Sequence, residues 1–115
     1  MIQSRIWEAQ LQALFPILEA RRVQLIERIR TEITDLLRKR EIRQFGDRVE
    51  NPYEMEWGTL YYAMKLRNID DCYYLSSLTD SDRKMIRFHR DCRNTLAHGD
   101  RCTAAQVRGI IDGLI

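Results

Sequence analysis

Apolar residues recur every three or four positions along almost the whole chain, the period of one face of a helix. Trp7, Leu11, Leu14 and Leu18 make the first stripe and start a helix near Gln3 or Ser4. Pro16 lies inside that run, predicting either a kink or an early position of a second helix. The stripe continues through Leu18, Leu25 or Ile26, Ile29, Ile33, and Leu36 or Leu37. It closes on "LRKREIR", where positive charge suits the negative end of a helix dipole. Phe45-Gly46-Asp47 reads as the stop. "NPYE" (51–54) predicts the next start, with Asn51 as cap, Pro52 in the first turn and Glu54 reaching back. Trp57, Leu60, Tyr61 and Met64 follow as its core stripe. "NIDDCYYLSSL" is ambiguous and is read as a short helix from about Asp70 to Leu78. "TDSD" (79–82) caps a further helix whose Met85, Phe88, His89, Cys92 and Leu96 share one face. That helix ends between Ala97 and Gly99, with Gly99 as the C-terminal glycine. Thr103 and Gln106 form another capping box, ahead of a last stripe of Val107, Ile110, Ile111 and Leu114.

With no strand-like alternation and no repeat, the pattern predicts an all-α, up-and-down bundle of about five helices, with a long N-terminal helical hairpin. The 115 residues suit a single domain, 1–115, standing alone or as part of a larger protein. Hydrophobic residues make up 44% and charged residues 31%, the balance of a folded chain rather than a disordered one. No apolar run approaches a membrane span and the N-terminus is not a signal peptide, so no membrane association is expected. Cys72, Cys92 and Cys102 form no C-x-x-C pair, which points to reduced thiols and a cytoplasmic location.

Net charge is only +2, so bulk charge does not announce a nucleic-acid binder. Arginine supplies sixteen of the nineteen basic residues, and its planar fork suits phosphate. The same fork suits carboxylates, so the excess is mild support for a phosphate ligand. Nucleotide-binding glycine loops, G-x-S-x-G and paired metal-ligand spacings are absent. "HRDC" (89–92) has no second pair to complete a zinc site. His89 falls on the apolar face and reads as a core or interface histidine; the cysteines read as small buried hydrophobes.

"RNTLAH" (93–98) is the stretch that could carry chemistry. Arg93 and His98 are five apart, about 140° around an unbroken helix. His98 stands just before the expected stop, where a frayed or tightened turn would bring its ring round. Asn94 and His98 are four apart, on one face. The plainer reading pairs Arg93 with Asp91 or Asp100 and leaves Asn94 and His98 as surface residues.

An Arg-polar-x-x-x-His motif near the end of the penultimate helix resembles the HEPN family (higher eukaryotes and prokaryotes nucleotide-binding). The order of the capped "NPYEMEWGTLYY" helix, the short middle segment and the motif helix is similar to that family too. The long N-terminal helices agree only in a general way. The resemblance implies a helical bundle, dimerised through its motif helices, and a metal-independent endoribonuclease with no cofactor. Its composite site would draw on both protomers. His98 would then act as acid or base on the ribose 2′-hydroxyl, Arg93 would hold the scissile phosphate, and Asn94 would orient either of them. The expected partners are RNA, a second copy of the chain, and an antitoxin or neighbouring domain. The setting would be defence, a toxin–antitoxin pair or RNA processing. A non-catalytic HEPN module for RNA or nucleotide binding, or for dimerisation, is the alternative.

The roles are physically coherent. RNA carries its own nucleophile, so cleavage needs a group that moves protons near neutral pH and a preorganised cation on the phosphate. Around the motif, Arg83, Lys84, Arg87, Arg90 and Arg101 contribute to six basic against four acidic residues over 80–101. Arg90 and Arg101 are the candidate RNA contacts; Arg83, Lys84 and Arg87 read as a solvated face. Tyr61, Tyr62, Tyr73 and Tyr74 fill cores or interfaces more often than they stack on bases.

Overall fold

Residues 2–113 are described by a computed structural model, with side chains from Arg5 onward; Leu114 therefore lies outside the described residues. Five helices form, as the stripes require: α1 (Ile2–Arg28), α2 (Arg30–Lys39), α3 (Trp57–Lys65), α4 (Asp80–Ala97) and α5 (Ala104–Asp112). The fold is all-α apart from a two-residue antiparallel ladder, β1 (Arg43–Gln44) with β2 (Asp47–Arg48). That ladder turns at Phe45 and Gly46, both at positive φ (54° and 85°). Two consecutive left-handed residues make the tight hairpin turn that matches strand twist. Phe45-Gly46-Asp47 thus reverses the chain after α2 has already ended.

Pro16 neither breaks nor restarts α1, which runs through it. The break comes thirteen residues later at Ile29 (φ −110°, ψ 20°), between α1 and α2. Even there the helical bonds persist, from Ile29 N–H to the Leu25 carbonyl (3.1 Å) and from Ile33 N–H to the Ile29 carbonyl (3.0 Å). In place of an N-terminal hairpin the chain builds a bent rod. Helices of 27 and 10 residues laid end to end span roughly 55 Å at 1.5 Å per residue. The longest dimension of the molecule is 51 Å.

"NPYE" does not open α3. Asn51 Oδ1 accepts the Tyr53 amide (3.0 Å) and Pro52–Glu54 make one 3₁₀ turn. Met55 and Glu56 are then extended, and α3 begins at Trp57. The helix expected from Asp70 to Leu78 does not form. Asn68 Oδ1 accepts the amides of Asp70 (2.9 Å) and Cys72 (3.1 Å), a side-chain turn that competes with helix. Asp71 takes φ 59° and Arg67 bridges Tyr73. Leu75 and Leu78 remain buried from an irregular segment. Glu32 of α2 secures that segment by accepting from the Ser77 amide and hydroxyl.

Two apolar clusters result. One joins Leu25, Ile26, Ile33, Leu36, Trp57, Leu60 and Ile86; the other joins Leu14, Leu18, Cys92, Leu96, Cys102 and Ile110. Both draw on α1 and α4, which run antiparallel: Trp7 meets the Leu96 carbonyl (2.8 Å) at one end and Arg28 meets Asp82 (2.7 Å) at the other. Among the described residues, no helix is long and apolar enough to cross a membrane.

Candidate functional site

The motif lies on the last turn of α4. The helix is opened by a complete capping box between Thr79 and Asp82, the local chemistry that "TDSD" encodes. Burial lowers the readiness of the Asp82 carboxyl to ionise, but Arg28 and Thr79 outweigh it and hold its pKa below the usual range. Ile86, His89, Cys92 and Leu96 face inward and fix which way the helix is turned. At the far end Gly99 takes φ 79°, the left-handed position that ends many helices. Its N–H bonds the Leu96 carbonyl (3.1 Å), and that of Asp100 the Thr95 carbonyl (3.0 Å). These two bonds make a full Schellman closure.

That closure determines the geometry of the motif. His98 is the C-cap (φ −86°, ψ 5°) and still donates its N–H to the Asn94 carbonyl (3.0 Å). The end tightens without swinging round, so exposed His98 stays one turn beyond half-buried Asn94. Arg93 lies on the flank toward the core, half-buried, with its Nε enclosed and without a hydrogen-bond partner. Among the described residues no side-chain hydrogen bond joins Arg93, Asn94 and His98. Neither of the carboxylates suggested for Arg93 takes it within ion-pair distance. Asp91 is instead held by Arg90, through Nε (3.0 Å) and Nη2 (2.7 Å).

The candidate RNA contacts divide. Arg90 lies 3.9 Å over the Tyr61 ring, whose neighbour Lys65 is at 4.1 Å, so its charge and one of its faces are already engaged. Arg101 is exposed and borders a groove with Gln10, Thr103 and Arg108. Lys84 and Arg87 are exposed as expected. Arg83 is not a solvated residue: it donates to the Met64 carbonyl (2.6 Å), closing α3, and stacks on Tyr73 at 3.8 Å. Arg67 also contacts Tyr73, at 4.5 Å. Tyr61 and Tyr73 thus serve as platforms for the chain's own cations, while Tyr74 packs against the core and Tyr62 is half exposed.

His89 is a core histidine. It is fully buried, lies 4.8 Å from the Trp57 ring and meets Phe88 edge-on at 5.7 Å. Nδ1 is 2.7 Å from the Met85 carbonyl, which can only accept, so Nδ1 carries the proton. Nε2 therefore accepts from Arg21 Nη1 at 3.0 Å. Burial pushes the His89 pKa down, the Met85 carbonyl partly offsets this, and the Arg21 charge lowers it further. With both ring nitrogens engaged, His89 has none left for a metal. Burial also pushes the Cys92 thiol up to about 12 and raises Cys102, which makes both poor nucleophiles.

Three polar residues of α1 that the sequence pattern passed over tie that helix to its neighbours. Arg22, 7% exposed, donates to the Tyr53 and Met55 carbonyls (2.8 Å each) and pairs with Glu19. Gln10 donates to the Cys102 carbonyl (3.1 Å) and accepts its amide (2.6 Å), anchoring the segment that leaves the motif. Arg21 fixes His89. Only the position of Arg21 and Arg22 beside the apolar stripe of α1 signalled them. No family model matches the chain, and neither a curated protein nor a solved structure does.

Proposed function

We propose that this chain is a HEPN-like, metal-independent endoribonuclease domain. It would act in defence, in a toxin–antitoxin pair or in RNA processing. The observation that carries the reading is the end of α4: an exposed His98 held at a Schellman closure, with Asn94 one turn behind it and Arg93 farther round the same turn with an unpartnered Nε. As the base, His98 takes the proton of a ribose 2′-hydroxyl, whose oxygen attacks the adjacent phosphorus and expels the 5′-oxygen. Arg93 supplies donors and charge to the phosphate as its negative charge builds. The departing oxygen needs a proton from a second group. In this reading a second copy's motif supplies it across a two-fold axis, and that copy also brings an arginine to the histidine's side.

The angular separation of Arg93 and His98 within one chain is also what favours the second reading, a HEPN module that binds RNA or dimerises without cutting. The two are separated by incubating the purified chain with mixed RNA in EDTA. The expected result is cleavage leaving 2′,3′-cyclic phosphate and 5′-hydroxyl ends. His98→Ala and Arg93→Ala should each reduce it by at least ~100-fold, the scale of one acid–base or oxyanion contact. Bound RNA that stays intact would establish the non-catalytic module.

A further inference from the structure

We propose that the groove between α1 and α4, anchored by Arg21, binds a small phosphate monoester carrying a flat apolar group. Arg21, Gln24, Leu25 and Arg28 form one face of α1; Met85 and His89 of α4 form the opposite wall, and Gly113 the rim. The cavity is about 290 Å³, the small end of the range for organic ligands. His89, which lines it, and His98, which does not, are nine residues apart on α4, about half a turn out of phase. The groove therefore opens away from the side of α4 that carries His98, and the proposal stands or falls independently of RNA cleavage.

The charge balance points to an anion. Among the described residues no acidic side chain lines the groove. Arg28 gives its Nη2 to Asp82 (2.7 Å) and is neutralised there. Arg21 has no carboxylate partner among the described residues; its one side-chain bond goes to the neutral Nε2 of His89. Buried His89 is itself locked by the Met85 carbonyl and the Trp57 ring. A cation is thus held in a fixed orientation by a group that does not cancel its charge, leaving Nε–H and Nη2–H as donors. The guanidinium fork and the Gln24 amide between the two arginines match the several oxygens of a phosphate. Buried Leu25 and half-buried Met85 supply an apolar wall beside the anchor, suited to a ring.

Phenyl phosphate combines these two features and is the probe. Titrated into the full chain and followed by amide NMR, it should give saturable shifts confined to residues 21–28 and 85–89. Orthophosphate should bind more weakly for want of the ring, and benzoate more weakly for want of the phosphate. Arg21→Gln should weaken phenyl phosphate at least ~10-fold, the worth of a charged hydrogen bond. Should Arg21→Gln fail to fold, Arg21→Lys, which keeps the charge and loses the fork, should weaken it several-fold. Absence of saturation at millimolar probe, shifts mapping elsewhere, benzoate binding as tightly as phenyl phosphate, or an unchanged affinity in the Arg21 variants would each overturn the site.

Discussion

Arg22 behaves as a structural bolt. Its guanidinium closes the carbonyls of Tyr53 and Met55, 31 and 33 residues away, from inside the protein. Removing it leaves those acceptors without their donor. Arg22→Met should therefore lower unfolding free energy by about 2–4 kcal/mol, read as a fall in urea midpoint. Glu19→Gln, at a side chain 54% exposed, should cost less than about 1 kcal/mol. None of this was legible in "EARRVQ", because the partners are set by tertiary approach and not by local pattern. His89 was legible, since an imidazole in a helical apolar stripe has to be buried. Its lowered pKa has a consequence for pH: the folded chain binds this proton less readily than the unfolded one, whose histidine titrates near 6.5. Stability should therefore be full above that value and decline as pH falls below it. The urea midpoint should be lower at pH 5.5 than at pH 7.5, and His89→Gln should remove most of that difference. At the motif, spacing revealed Asn94 and His98 on one side, but the enclosed Nε of Arg93 depends on how far α4 is rotated into the core.

At the scale of elements, the two threonine capping boxes survived, while "NPYE" capped only a 3₁₀ turn and the Asp70–Leu78 helix did not form. The Thr79–Asp82 and Thr103–Gln106 boxes both form, because each satisfies two orphan amides within one turn. The Asp70–Leu78 helix failed to a single competitor, the Asn68 carboxamide, whose bonds to two nearby amides cannot be read from apolar periodicity. Pro16 sits inside α1 without ending it. Its ring removes one helical bond, yet Leu14 and Leu18 on either side of it are buried and α1 runs on. Since Pro16 itself is exposed, Pro16→Ala should restore the missing bond and raise stability by roughly 1–3 kcal/mol. A lower thermal midpoint in that variant would mean that the ring contributes packing of its own.

Across the whole molecule, the apolar stripes were sufficient to predict an all-α bundle, but not where the rod bends. Ile29 carries neither of the usual breakers, and its backbone departs from helix while its side chain stays buried. The molecule measures 51 × 30 × 21 Å, and Lys84, Arg87, Asp91 and His98 on one side of α4 are exposed. The proposed composite chemistry requires a second copy there. Sedimentation at micromolar concentration should accordingly give about twice the 13.8 kDa chain mass. A monomer under those conditions would remove the second histidine, and with it the two-histidine mechanism.

Two bonds join Gln10 to Cys102. A side-chain amide that both donates to and accepts from one residue's backbone acts as a single rung borrowed from a sheet. It makes Cys102 a mooring post on α1, with the Schellman closure at Gly99 as the other. Three peptide links join these posts. One residue inserted after Asp100 would lengthen the line from α4 to α1 while leaving every named side chain, and the closure that berths His98, intact.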